Sequence, residues 1–125
     1  MPHIVYIEDN EINATVFKHL MSPLYPVRLY ESGESYFKEM GNECADLPII
    51  YFLDLNLGRG RMSGKEILDK LNELECTRVV PKVAFTAYAF DSDEMQYIEE
   101  QGFNACLSKP GLKNRMVEVF QRLVE

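Results

Sequence analysis

The chain is short of positive charge. It carries 13 lysines and arginines against 20 aspartates and glutamates, a formal net charge of −7. An acidic domain gains nothing from phosphate backbones, so direct nucleic-acid binding is disfavoured. Cysteine is scarce as well. Cys44, Cys76 and Cys106 form an odd set without a C-x-x-C pair. That argues against a disulfide framework and against a structural zinc site, and it leaves reduced thiols in a cytoplasmic protein as the expectation. No apolar run approaches ~18 residues, so no membrane span is expected. The first strand-like run opens almost at Met1, which leaves no room for a signal peptide. Internal repeats, low-complexity segments and linkers are missing too. What is present suits one domain over residues 1–125, with 46% hydrophobic residues and a core that needs no staples.

Two kinds of segment alternate. Ile4-Val5-Tyr6-Ile7 is a short β-branched and aromatic run that reads as a buried strand. Asn10 to Met21 follows with Ile12, Val16, Phe17 and Leu20 at helical spacing, Asn10 as a cap and Glu11 in the first turn. Pro23 and Pro26 forbid further helix. Val27 to Tyr30 is the second strand. The next helix carries Tyr36, Phe37 and Met40, and either Ser32 or Ser35 can cap it. Ile49 to Leu53 is the most apolar stretch and the expected central strand, ended by Asp54. A glycine-rich loop leads to a helix over Lys65 to Glu75. Pro81 to Phe85 is a fourth strand. Asp91 to Gln101 is a helix stopped by Gly102. Asn104 to Leu107 is a fifth strand, and Leu112 to Val124 a last amphipathic helix with Met116, Val117, Phe120 and Leu123 inward. Five alternations of strand and helix predict an α/β fold, a parallel doubly wound sheet flanked by five helices.

In such a sheet ligands sit beyond the carboxyl ends of the strands. Glu8 and Asp9 follow the first strand, Asp54 the third, Thr86 and Ala87 the fourth, and Ser108, Lys109 and Pro110 the fifth. Three carboxylates, the Thr86 hydroxyl and the Lys109 ammonium therefore converge on one rim. Crowded carboxylates repel one another, and a hard cation such as Mg2+ relieves this with oxygen ligands. The same group suits phosphoryl transfer, in which metal and lysine neutralise phosphate oxygens and a carboxylate can be the nucleophile.

With Tyr6-Ile7-Glu8-Asp9-Asn10-Glu11-Ile12-Asn13, Phe85-Thr86-Ala87-Tyr88-Ala89 and Leu107-Ser108-Lys109-Pro110, the chain resembles the CheY-like receiver domain of two-component response regulators, above all receivers of hybrid histidine kinases. The resemblance runs from about Ile4 to about Val124. It implies the flavodoxin-like strand order 2-1-3-4-5. It further implies Asp54 as phosphoacceptor and magnesium held by Asp9 and Asp54, with Glu8 assisting through water and the Asn56 backbone carbonyl as a further ligand. Lys109 would pair with the phosphoryl group and with Asp54. Thr86 would bond a phosphoryl oxygen, small Ala87 would leave it a way in, and Pro110 would be the family's cis proline. The donor would be a histidine kinase or a histidine phosphotransfer protein, and the protein would be a switch for an unknown downstream partner rather than a turnover enzyme.

Two departures stand out. The family usually has a proline four residues after the acceptor and a glycine about eight after it; here Gly58 stands at the proline's place and the equivalent glycine is Gly64, so Gly58-Arg59-Gly60-Arg61-Met62-Ser63 reads as a loop about two residues longer. The family's aromatic residue three before the lysine is replaced by Cys106, which leaves Thr86 and Tyr88 as the expected switch residues. Arg59 and Arg61 read as solvated loop charges, or more sharply as steering groups for an acidic partner. His3 and His19 read as surface or packing residues, and Cys44 and Cys76 as structural or incidental. Two rival functions are a pseudo-receiver interaction module and a haloacid-dehalogenase-type phosphatase. The second needs a general-acid aspartate where Asn56 stands.

Overall fold

Four residues, Ile4–Ile7, form strand β1, and all four are buried. A strand buried on both faces needs apolar side chains at odd and even positions alike, and this run supplies them. The computed structural model describes residues 2–41, 44–55, 62–86, 92–109 and 113–124, with Ser92 by its backbone alone. Helix α1 (Glu11–Met21) follows, its Asn10 side chain accepting from the Asn13 amide. Then come β2 (Val27–Tyr30), α2 (Gly33–Met40), β3 (Ile50–Asp54), α3 (Gly64–Glu73), α4 (Glu75–Arg78), β4 (Lys82–Thr86), α5 (Ser92–Glu100), β5 (Ala105–Ser108) and α6 (Lys113–Val124). Ser32, not Ser35, caps α2, and Ser63 with Glu66 forms a reciprocal capping box on α3.

The five strands are parallel in the order β2-β1-β3-β4-β5. One core lies under α1 and α6, where Phe17, Met21, Met116 and Phe120 pack on Ile4, Tyr6, Ile50 and Phe52. The other lies under α2 to α5, where Tyr36, Phe37, Ile67, Leu68 and Leu71 pack on Val5, Ile7, Tyr51 and Leu53. Alternate residues of each strand thus serve opposite layers. Each fully buried leucine, isoleucine or phenylalanine contributes about 1.5–3 kcal/mol of transfer free energy.

Three expectations are corrected. Six helices, not five, are present among the described residues. The helix expected over Lys65 to Glu75 breaks at Leu74, whose backbone is extended (φ −89°, ψ 128°). The buried Thr77 hydroxyl holds the break by donating to the Leu71 carbonyl. Second, Ile12 and Val16 do not join the core. They are 74% and 51% exposed, because α1 buries the narrower arc Ala14, Phe17 and Met21. Third, Cys44 and Cys76 are joined in a disulfide with Cα atoms 6.1 Å apart, and Cys106 is the free, buried thiol. Their 32-residue separation hid the pairing. What brings them together is the side-by-side packing of α2 and α3, with Gly33 against Ile67 and Lys70 over the Phe37 ring.

Candidate functional site

The carboxyl ends of β1, β3, β4 and β5 meet at one rim because the strands run in register. Ile7 pairs with Leu53, Asp54 with Phe85, and Thr86 with Ser108. Glu8 leaves β1 with its amide donating to the Tyr30 carbonyl, and Asp54 is the last residue of β3. One carboxylate oxygen from each of Glu8, Asp9 and Asp54 lies within 4.8 Å of the others. Glu8 and Asp54 are buried and Asp9 is exposed. Three hard oxygen donors with one open side form a donor set that fits magnesium with several waters retained.

Lys109 reaches into this group from beyond β5. Its Nζ stands 2.5 Å from Glu8 Oε1 and 3.1 Å from Asp54 Oδ1. Its amide donates to the Thr86 carbonyl, which fixes where the side chain starts. The ammonium therefore bridges two buried carboxylates, with Glu8 the nearer. Burial, with Asp54 beside it, pushes the Glu8 carboxyl up from its ordinary value, and Lys109 pulls against that rise. Thr86 ends β4 at the same rim and is buried.

Gly64 packs closely behind the end of β3. A β-carbon there would come within 2.7 Å of the Asp54 carbonyl oxygen and 3.0 Å of Leu55 Cα, both backbone atoms. Glu34 accepts the Met62 amide at 3.1 Å and so ties the entry of α3 to α2.

The structure thus brings together Glu8, Asp9, Asp54, Thr86 and Lys109. Cys106 sits apart, in the α2-to-α5 core, where burial pushes its thiol up to about 11. Asn56, Ala87, Tyr88, Pro110, Arg59 and Arg61 lie outside the described residues. One neighbour of the site escaped the sequence reading. The buried Tyr6 donates its hydroxyl to Glu8 Oε1 at 3.0 Å. Its signal was a phenol inside an otherwise aliphatic strand, two residues before Glu8 and so on the same face. Burial, then the neighbouring Glu8, pushes its pKa up, so it remains a donor.

Comparison with known proteins agrees with this geometry. The family described as response regulator receiver domain matches residues 4–121. The polar-differentiation response regulator DivK of Brucella ovis is 31% identical over 124 residues, which cover 94% of this chain and 92% of that protein. DivK of Brucella anthropi is 30% identical over the same shares. Among solved structures, the receiver domain of a sensor histidine kinase from Pseudomonas aeruginosa PAO1 superposes with a TM-score of 0.82 at 25% identity, covering 98% of this chain and 97% of that one. That crystal structure has a magnesium ion coordinated in its active site cleft. A CheY-like receiver from Methanospirillum hungatei JF-1 shares the fold with a TM-score of 0.78 at 20% identity, covering 98% of this chain and 92% of that one.

Proposed function

Since the chain belongs to the response regulator receiver domain family and so serves phosphorelay signalling, we propose that it works through a phosphoryl group taken onto Asp54. The observation that carries this reading is Lys109, bridging Glu8 and Asp54 on a rim with a third carboxylate. A carboxylate oxygen of Asp54 attacks the phosphorus of a phosphohistidine. The P–N bond breaks, its electron pair stays on the imidazole nitrogen, and that nitrogen takes a proton from solvent. The product is an acyl phosphate. Lys109 turns its ammonium to the phosphoryl oxygens, and the Thr86 hydroxyl donates to one of them. Later attack by water at phosphorus breaks the new P–O bond and restores the carboxylate.

Asp9 and Asp54, assisted by Glu8 and by the backbone carbonyl of Asn56, would hold magnesium, which would supply charge neutralisation for the transferring group. The donor is a histidine kinase or a histidine phosphotransfer protein, and an unidentified downstream protein reads the phosphorylated state. Neither nucleic acid nor membrane is a direct partner. Residues 1–125 act as one domain in the cytoplasm, where kinases draw on ATP, and as a switch rather than a turnover enzyme. The test is mass spectrometry after incubation with a small phosphodonor. One phosphoryl group should appear with magnesium and none without it, and Asp54→Asn should abolish the gain. Undiminished labelling of that variant would move the acceptor elsewhere.

A further inference from the structure

Glu8 is 3% exposed, yet its Oε1 already has two donors, Lys109 Nζ at 2.5 Å and the Tyr6 hydroxyl at 3.0 Å. The other oxygen accepts the Asn10 amide at the longer distance of 3.5 Å. Lys109 cannot serve Glu8 fully and a phosphoryl group on Asp54 as well. As it turns toward the phosphoryl oxygens, a buried carboxylate loses its nearest cation, and a buried charge without donors is costly. The tyrosine is the donor that stays. Its ring is wedged against Phe17 and Phe85, with centroids 4.2 and 5.9 Å away, so the hydroxyl has little freedom to leave. Tyr6 and Lys109 also border one cleft of about 170 Å3 with Phe85, Asn13 and Met116.

We propose that Tyr6 is a positioning residue of the receiver, whose hydroxyl keeps Glu8 satisfied so that Lys109 is free to engage the phosphoryl group. The inference rests on the phosphoryl-transfer reading and deepens it. Its role is indirect: Tyr6 touches neither the phosphorus nor the attacking oxygen, and acts through Glu8. Without the hydroxyl, Glu8 holds Lys109 harder, and both the transfer and the bound state of a phosphoryl mimic suffer.

Tyr6→Phe deletes one oxygen and keeps the ring packing. Two quantities are measured on the whole chain: the rate of phosphorylation by a small phosphodonor at fixed magnesium, and the affinity for beryllofluoride with magnesium, read by 19F NMR. Tyr6→Phe should lower each about tenfold. In a Glu8→Gln background, where no carboxylate holds the lysine, adding Tyr6→Phe should change each less than twofold. A merely structural role for Tyr6 predicts the same loss in both backgrounds, and that result overturns the proposal, as does a Tyr6→Phe protein within twofold of the parent. If the parent protein itself takes neither phosphoryl group nor beryllofluoride, the receiver reading fails instead.

Discussion

Asp54 is 1% exposed and shares one ammonium with Glu8, while Asp9 stands close by. Three carboxylates around a single lysine leave the metal-free site with excess negative charge where water is partly excluded. Asp54→Asn should therefore raise metal-free stability, by about 1 kcal/mol. Magnesium should raise the melting temperature of the parent by mass action and do so less in the variant. Thermal melts with and without the metal check both, and a clear loss of metal-free stability in Asp54→Asn would contradict the crowding argument. Another buried charge lies far from the rim. Lys82, 2% exposed, donates to the Arg78 and Val80 carbonyls at 2.9 and 2.8 Å. Burial pushes its pKa down to about 8, against about 10.4 in an unfolded chain. Between those values the unfolded chain binds the extra proton, so raising pH favours the fold, by up to about 1.4 kcal/mol per pH unit. Denaturant melts of the parent and of Lys82→Met between pH 7 and 10 should show the parent gaining on the variant through that window. A difference that stays flat would mean the two carbonyls keep the ammonium charged.

At the scale of elements, β4 carries the proposed switch residue and β5 carries Cys106. Thr86 ends β4, and Cys106 pairs with Ala84 one strand away. Cys106 sits 3% exposed in the apolar layer under α2 to α5. It has no ring to swing, so reorienting it reshapes little surface. A phosphoryl group can shift a conformational equilibrium only through a contact that differs between the two states, and the Thr86 hydroxyl can supply one. Thr86→Ala should therefore still be phosphorylated yet lose most of the induced amide shifts in NMR spectra, whereas Cys106→Ala should keep them. The reverse pattern would place the switch in β5. Helix positions were readable here where a local signal exists. Asn10 caps α1 as its sequence suggests, because capping needs only a side-chain oxygen three residues from an amide. The break of α3 at Leu74 was not readable, because Thr77 makes it by reaching a carbonyl six residues back.

For the whole molecule, the disulfide between Cys44 and Cys76 ties the exit of α2 to the start of α4. Closing a loop of that length removes unfolded-state entropy worth about 3–4 kcal/mol. In a reducing compartment the thiols would be free, so a reductant should lower the melting temperature by several degrees. Cys44→Ser should melt like the reduced protein and lose the dependence on reductant. Intact mass after alkylation counts the free thiols, and a parent whose melt ignores reductant would count against a formed bond. The sequence by itself determined the alternation of strand and helix, because hydrophobic period and turn residues are local properties of a chain. It also placed Glu8, Asp9, Asp54, Thr86 and Lys109 at strand ends, and a parallel sheet has only one carboxyl edge on which to gather them. Tertiary structure alone decided that Lys109 lies nearer Glu8 than Asp54, that Tyr6 is a donor to the same oxygen, and that Cys44 meets Cys76. Each of these depends on distances of a few ångströms between segments far apart in the chain, and such distances are set by how layers pack rather than by any local pattern of residues.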